Sequence, residues 1–231
     1  MLKFDVIILA GGLGTRLRSV ISDIPKPMAP VNGKPFLDVI LKKLPLNHIS
    51  NVILSLGYKH EVVQDYYGEE YAGIPIKYAV EEEQLGTGGG IKLALGLSQS
   101  KQVILVNGDT AFDINYEQLW LTHSENNSLA TLALKPMKKP SRYGTVLLQG
   151  DKIVRFQEKK EDLKFGLING GIYLVERELI LSLLPNKNNF SFETEFLEKN
   201  TENEIYGYVD DSLFIDIGIP EDYERAQEIF T

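Results

Sequence analysis

Apolar and polar positions in the first half of the chain switch repeatedly between two periods. "FDVIILA", "NVILSLG", "IKYAVE" and "QVILVNGD" are short runs rich in β-branched residues, which predicts strands. Between them "PFLDVILKKL", "EVVQDYY", "GGGIKLALGLS" and "YEQLWLTHS" repeat apolar residues three and four apart, as one face of a helix requires. Strand and helix in alternation predict a parallel sheet with helices on both faces. The first strand, nearly all apolar, suits burial on both sides.

After about residue 129 the pattern changes. "LATLALKPM", "YGTVLLQG", "KIVRFQEK" and "INGGIYLVE" read as strands with few helices between them, and Gly150 and Asp151 mark a hairpin turn. Helical patterns follow at "ELILSLL" and "SFETEFLEKN", then a strand "DSLFIDIG" and a closing helix "PEDYERAQEIF" with Pro220 at its first turn. The expected fold is α/β, a Rossmann-like three-layer sandwich whose central mixed, mainly parallel sheet carries helices on both faces. No internal repeat or linker interrupts it, so one domain over 1–231 is expected, with halves meeting near 128/129.

Composition narrows the class. With 231 residues, 43 % apolar and 24 % charged, the chain is long enough to bury roughly 70 % of its unfolded surface without disulfide or metal. A net charge of -8 leaves no basic stripe, which argues against a nucleic-acid partner. No stretch approaches ~18 apolar residues, so no membrane span is expected. The chain has no Cys, hence no disulfide, thiolate nucleophile or Cys-ligated zinc, and this fits a reducing, cytoplasmic setting. The N-terminal "MLKFDVIILAGG" places a lysine before a short apolar run, but that run ends in glycines and not at a cleavage site.

Those glycines are the first candidate for chemistry. A strand entering Gly11, Gly12 and Gly14 lets backbone amides approach an anion, and phosphate is the natural guest. A plain tight turn is the bland alternative. The P-loop pattern fails because Arg16 stands where its second Gly is required. The dinucleotide fingerprint fails too: Leu17 replaces its third Gly, and the second strand, ending "LSLG", has no acid. Arg16, Arg18 and Lys26 nearby favour the phosphate reading in an otherwise acidic chain, and prolines on both sides of Lys26 restrict its backbone.

Two carboxylates, Asp109 in "NGDT" and Asp216 in "FIDIG", end predicted strands. Singly each reads as a turn-former; together they suit Mg²⁺, which takes few protein ligands plus phosphate oxygens. His48, His60 and His123 show no ligand spacing. "EEEQLGTGGGIKLAL" reads structurally as a helix opening with Thr87 as N-cap.

"AGGLGTRL" followed by "PKPM" resembles the signature of the sugar-phosphate nucleotidyltransferases, which join a nucleoside triphosphate (NTP) to a sugar 1-phosphate and release pyrophosphate. The resemblance implies a nucleotide-binding first half and a sugar-phosphate-binding second half. It implies that Leu9, Ala10, Gly11, Gly12, Gly14, Thr15 and Arg16 bind the nucleotide, the glycines and Arg16 wrapping its triphosphate, and that Arg16, Lys26 and Asp109 are catalytic. Gln84, Gly86, Thr87 and Gly88 would lie by the base, where glycines allow close approach, with Asn107 and Gly108 alongside. Tyr143, Gly144, Glu158, Asn169 and Gly170 would take the sugar, Lys159 its phosphate, and Asp109 and Asp216 would hold Mg²⁺.

Within that family the motifs most resemble bacterial D-glycero-D-manno-heptose 1-phosphate guanylyltransferases, which implies GTP as donor, with a possible homodimer and a polysaccharide pathway such as capsule or lipopolysaccharide assembly. The chain ends soon after "IPE", which fits a short-form member without a C-terminal repeat domain. A mannose 1-phosphate guanylyltransferase and an N-acetylmuramate 1-phosphate uridylyltransferase remain open, because nothing in the residues themselves separates guanine from uracil. A non-catalytic nucleotide-sugar sensor would be expected to lack one of the acids or lysines.

Overall fold

The computed structural model describes residues 3–12 and 24–230. Its elements are β1 (Phe4–Leu9), β2 (Pro30–Val31), β3 (Lys34–Pro35), α1 (Phe36–Lys43), β4 (Ile49–Leu56), α2 (His60–Tyr67), β5 (Glu70–Tyr71) and β6 (Ile74–Val80). They continue with α3 (Gly86–Leu95), β7 (Gln102–Asn107), β8 (Thr110–Phe112), α4 (Tyr116–Glu125), β9 (Ala130–Lys138), β10 (Thr145–Gln149) and β11 (Lys152–Gln157). The chain closes with β12 (Phe165–Glu176), α5 (Arg177–Leu183), β13 (Ile205–Val209), β14 (Phe214–Asp216) and α6 (Pro220–Ile229).

One ten-stranded sheet runs through both halves in the order β10-β11-β13-β9-β12-β7-β1-β4-β6-β5. β7, β1, β4 and β6 are mutually parallel, whereas β12 runs antiparallel to β7 and β9. The chain moves from β1 outward through β4 and β6, then returns to place β7 on the other side of β1. The strand order therefore reverses between β1 and β7, and the crevice beyond their carboxyl ends is where open α/β sheets receive ligands.

Alternation along β1 sets the two hydrophobic layers. Val6 and Ile8 pack with Phe36, Leu37 and Ile40 of α1 and Tyr223 of α6, while Ile7 packs with Ile91, Ala94 and Leu95 of α3. Asp5 interrupts this apolar strand and is fully buried. Its carboxylate accepts hydrogen bonds from Asn51 Nδ2 and Ser98 Oγ, each at 2.7 Å, and from the Gln99 and Ser100 N–H groups. It thus ties β1 to β4 and to the turn after α3.

Pro220 opens α6 as expected, and Gly150, at φ +61°, turns the β10–β11 hairpin. Other segments differ from the pattern. "SFETEFLEKN" forms a wide π-helical turn over Glu193–Leu197 and a 3-10 turn over Glu198–Asn200, with Phe192 and Phe196 stacked at 5.2 Å and both buried. β13, "IYGYV", is a strand that the pattern left unassigned; Gly207, at its centre, allows the Leu134 and Leu148 side chains to close over it. No helix among the described residues is long and apolar enough to cross a membrane.

Candidate active site

A cavity of about 460 Å³ opens at the reversal, with Leu9 to Gly12 on one side and Asn107 to Asp109 on the other. Gly108 donates its N–H to the Leu9 carbonyl at 2.9 Å, and a Cβ there would come within 2.5 Å of that oxygen. Only a glycine lets the two strand ends meet. Asn107 Oδ1 is buried without a hydrogen-bond partner among the described residues, so the cavity wall carries an unmet acceptor. Gly14, Thr15, Arg16 and Arg18 lie outside the described residues.

Lys26 begins a 3-10 turn, Lys26–Met28, flanked by Pro25 and followed by Pro27, so its backbone is restricted as expected. Its ammonium reaches Asp109 Oδ2 at 2.6 Å, in the cavity both residues line. Asp216 arrives from the far end of the chain. β14 pairs antiparallel with β8, which sets Asp216 opposite Thr110, and the Ile217 N–H bonds the Asp109 carbonyl at 3.0 Å. Burial first, and the neighbouring Asp109 charge second, raise the Asp216 carboxyl above its ordinary value. Lys26, the Gly218 N–H at 2.7 Å and the Tyr143 hydroxyl at 3.2 Å act the other way.

Asp109 on the wall of this cavity and Asp216 on the wall of the cleft beside Tyr143 bring carboxylate oxygens together from just before β8 and from the end of β14, a hard-oxygen donor set suited to a divalent cation completed by phosphate and water. No group of three or more His, Cys, Asp or Glu gathers among the described residues, so a fully protein-enclosed metal cage does not form there.

Gln84, Gly86 and Thr87 line the same cavity. The glycines around them answer to the chain itself. A Cβ at Gly88 would lie 2.1 Å from the Phe190 ring, and one at Gly89 would lie 2.0 Å from the Asn188 carbonyl. Gly86, at φ +69°, sits against the Phe190 carbonyl. Thr87 does not cap α3, whose N-cap is Leu85; its hydroxyl donates to Glu193 Oε2 at 2.7 Å.

On the sugar side, Tyr143 meets Asp216, and Asn169 is held by two bonds, accepting from the Gly171 N–H at 3.0 Å and donating to the Tyr173 hydroxyl at 2.8 Å. A Cβ at Gly171 would lie 2.8 Å from Asn107 Nδ2, so this stretch packs on the cavity wall. A Cβ at Gly170 would strike Phe112 at 2.5 Å, and one at Gly144 would approach the Gln157 carbonyl at 3.0 Å. Glu158 and Lys159 are exposed on the segment after β11, and neither has a hydrogen bond or ion pair to Asp109 or Asp216. Tyr143 and Asp216 also line a cleft of about 620 Å³ with Lys135, Lys138, Arg142 and Arg225.

Residues 5–231 match the family model described as "Nucleotidyl transferase". The chain belongs to that family. This nucleotidyl transferase is 46 % identical over 225 residues to the D-glycero-alpha-D-manno-heptose 1-phosphate guanylyltransferase of Aneurinibacillus thermoaerophilus, with 97 % of each chain covered. It is 49 % identical over 220 residues to the enzyme of the same name from Campylobacter jejuni, covering 95 % of this chain and 96 % of that one. Among solved structures, HddC from Yersinia pseudotuberculosis, also solved in complex with GMP-PN, superposes with a TM-score of 0.86 at 36 % identity, over 99 % of this chain and all of that one. A Bacillus anthracis structure titled a putative glucose-1-phosphate thymidylyltransferase, 21 % identical with a TM-score of 0.83 over 98 % of this chain and 94 % of that one, shares the fold.

The transferase's cavity also contains residues that the sequence did not single out. Glu81 lies in it beside Gln84, with Ser55 and Asn189. Burial raises the Glu81 carboxyl, while the Leu85 N–H at 3.2 Å and the Ser55 hydroxyl at 3.4 Å pull it back. Asn189 donates to the Gln84 carbonyl at 2.6 Å.

Proposed function

We propose that this transferase, acting in the cytoplasm, moves the guanylyl group of GTP onto D-glycero-α-D-manno-heptose 1-phosphate, releasing pyrophosphate and forming GDP-heptose. The observation that carries the reading is that Lys26 and Asp109, paired on the wall of one cavity, are brought beside Asp216, which lines the cleft on the sugar side, from three distant parts of the chain. Two heptose 1-phosphate guanylyltransferases at 46 % and 49 % identity support the substrate pair.

In this reading the sugar 1-phosphate oxygen attacks the α-phosphorus in line, a new P–O bond forms, and the bond to the β-phosphate oxygen breaks with pyrophosphate leaving. No covalent enzyme intermediate is needed, so the chain's work is positioning and charge neutralisation. Lys26 offers its ammonium to the phosphate charge, Arg16 reinforces it, and Lys159 holds the attacking phosphate. Asp109 and Asp216 would hold Mg²⁺, which supplies positive charge to phosphate oxygens when bound. Asn169, locked on both sides of its amide, presents an N–H to a sugar hydroxyl.

Glu81 gives the base preference a chemical basis. Guanine shows two adjacent donors on one edge, the ring N1–H and the exocyclic amino group, and a carboxylate accepts both. Uracil offers a single N–H between two carbonyls, which a carboxylate repels.

A grid of nucleoside triphosphates against sugar 1-phosphates, scored by pyrophosphate release with Mg²⁺ present, tests the proposal. GTP with heptose 1-phosphate is expected to give the highest kcat/KM. Turnover with another pair and none with this one overturns it.

A further inference from the structure

Glu193 joins the two sides of the site. Its Oε2 accepts from Thr87 Oγ1 at 2.7 Å and from Ser191 Oγ at 3.1 Å, and its Oε1 lies 3.5 Å from the Tyr173 hydroxyl. Thr87 stands in the first turn of α3 and lines the cavity beside Gln84. Tyr173 is on β12, fully buried, four residues beyond Asn169.

The direction of each hydrogen bond is determined. Thr87 Oγ1 already accepts from the Phe192 N–H at 2.9 Å, so its single proton goes to Glu193. The Tyr173 oxygen accepts from Asn169 Nδ2, so its proton also points at Glu193. Burial first, and Glu193 next, hold that hydroxyl well above its ordinary titration range, so it stays a donor. Asn169 Oδ1 takes the Gly171 N–H, which leaves the second amide N–H uncommitted among the described residues. One carboxylate therefore terminates two chains of donors, one from the first turn of α3 and one from the amide that faces the sugar side.

We propose that Glu193 is a positioning residue that couples the two substrate half-sites, fixing Thr87 for the nucleotide and, through Tyr173, Asn169 for the sugar. It touches neither reacting group. This rests on the proposed two-substrate reaction for its readout, and losing the carboxylate leaves both hydroxyls without their acceptor, a loss of roughly tenfold per half-site.

The test uses steady-state kinetics on the intact chain with GTP and heptose 1-phosphate, alongside calorimetric titration of GTP alone. Glu193→Ala is expected to raise both KM values roughly tenfold. Tyr173→Phe, which keeps the ring in its buried place, should raise only the sugar 1-phosphate KM. Thr87→Val should raise only the GTP KM and weaken GTP binding to match, and Thr87→Ser, keeping the hydroxyl, should recover at least half of that loss. The double variant Glu193→Ala/Thr87→Val should bind GTP no more weakly than Glu193→Ala alone, since both remove the same link. Unchanged KM values and GTP binding in Glu193→Ala, or equal shifts of both KM values in Tyr173→Phe and Thr87→Val, would overturn the coupling. If the wild type turned over a different pair, the substrate assignment would fail while the same variants, measured on that pair, still decided the coupling; if no pair turned over, the GTP titration would decide the Thr87 arm.

Discussion

Phe190 occupies the space that a side chain at Gly88 would need: an added Cβ would lie 2.1 to 2.2 Å from two ring carbons. The Gly88 N–H bonds the Phe190 carbonyl at 2.9 Å, and the Phe190 N–H bonds the Leu85 carbonyl at 3.0 Å. The segment that carries Glu193 is thereby clamped onto the start of α3.

Gly88→Ala should accordingly destabilise the protein by about 1–3 kcal/mol through overpacking. Thermal denaturation checks it, and the double variant Gly88→Ala/Phe190→Leu should recover part of the loss. A melting temperature unchanged in Gly88→Ala would show that the ring moves aside freely.

Glu81→Gln should relax base choice. An amide accepts with one oxygen only and adds a donor facing guanine's donors, so kcat/KM for GTP should fall roughly 10- to 100-fold while that for UTP holds or rises. Because burial raises this carboxyl, the wild-type KM for GTP should climb as pH falls toward the raised value, and Glu81→Gln should lose that dependence. Parallel kinetics with GTP and UTP between pH 5 and 8 decide the point.

Asp5 should make stability depend on acid. Burial opposes its charge, but Asn51, Ser98 and two backbone N–H groups outweigh it and hold the carboxyl below its ordinary value. A folded-state value below the unfolded one means that the stabilisation is full above the unfolded pKa of about 3.9 and drains as pH falls through the folded value. Asp5→Asn should flatten that acid limb in urea titrations. Asp5→Ala should cost roughly 3 kcal/mol or more at neutral pH, because Asn51 Nδ2, Ser98 Oγ and the Gln99 N–H lose their acceptor.

Much of this architecture was legible in the residues, and the exceptions have physical reasons. β1, β4 and β7 are buried on both faces and read as apolar runs, and the glycines after β1 pointed to the cavity that Gly11 and Gly12 line. Glu81 was hidden in "EEE", where only the first acid is drawn inward and Glu82 and Glu83 are exposed. Glu193 looked like the polar face of a helix because its partner Thr87 is 106 residues away, and no local pattern records such a contact. The glycines of "GTGGG" read in the sequence as room for a base, whereas a Cβ at Gly88 or Gly89 would meet Phe190 or Asn188 of the chain itself, a packing between distant segments that no local pattern records.

In the proposed reaction the acids gathered beside Lys26 work on phosphate. Asp109→Asn keeps the shape of the side chain and its oxygen contact with Thr110 while removing the charge opposite Lys26. Pyrophosphate release from GTP and heptose 1-phosphate, measured for this variant and the wild type with matching circular dichroism and melting curves, decides whether that charge is needed. A folded protein at least ~10²-fold slower is expected; a folded Asp109→Asn protein working within a few-fold of the wild type would rule out that role for Asp109.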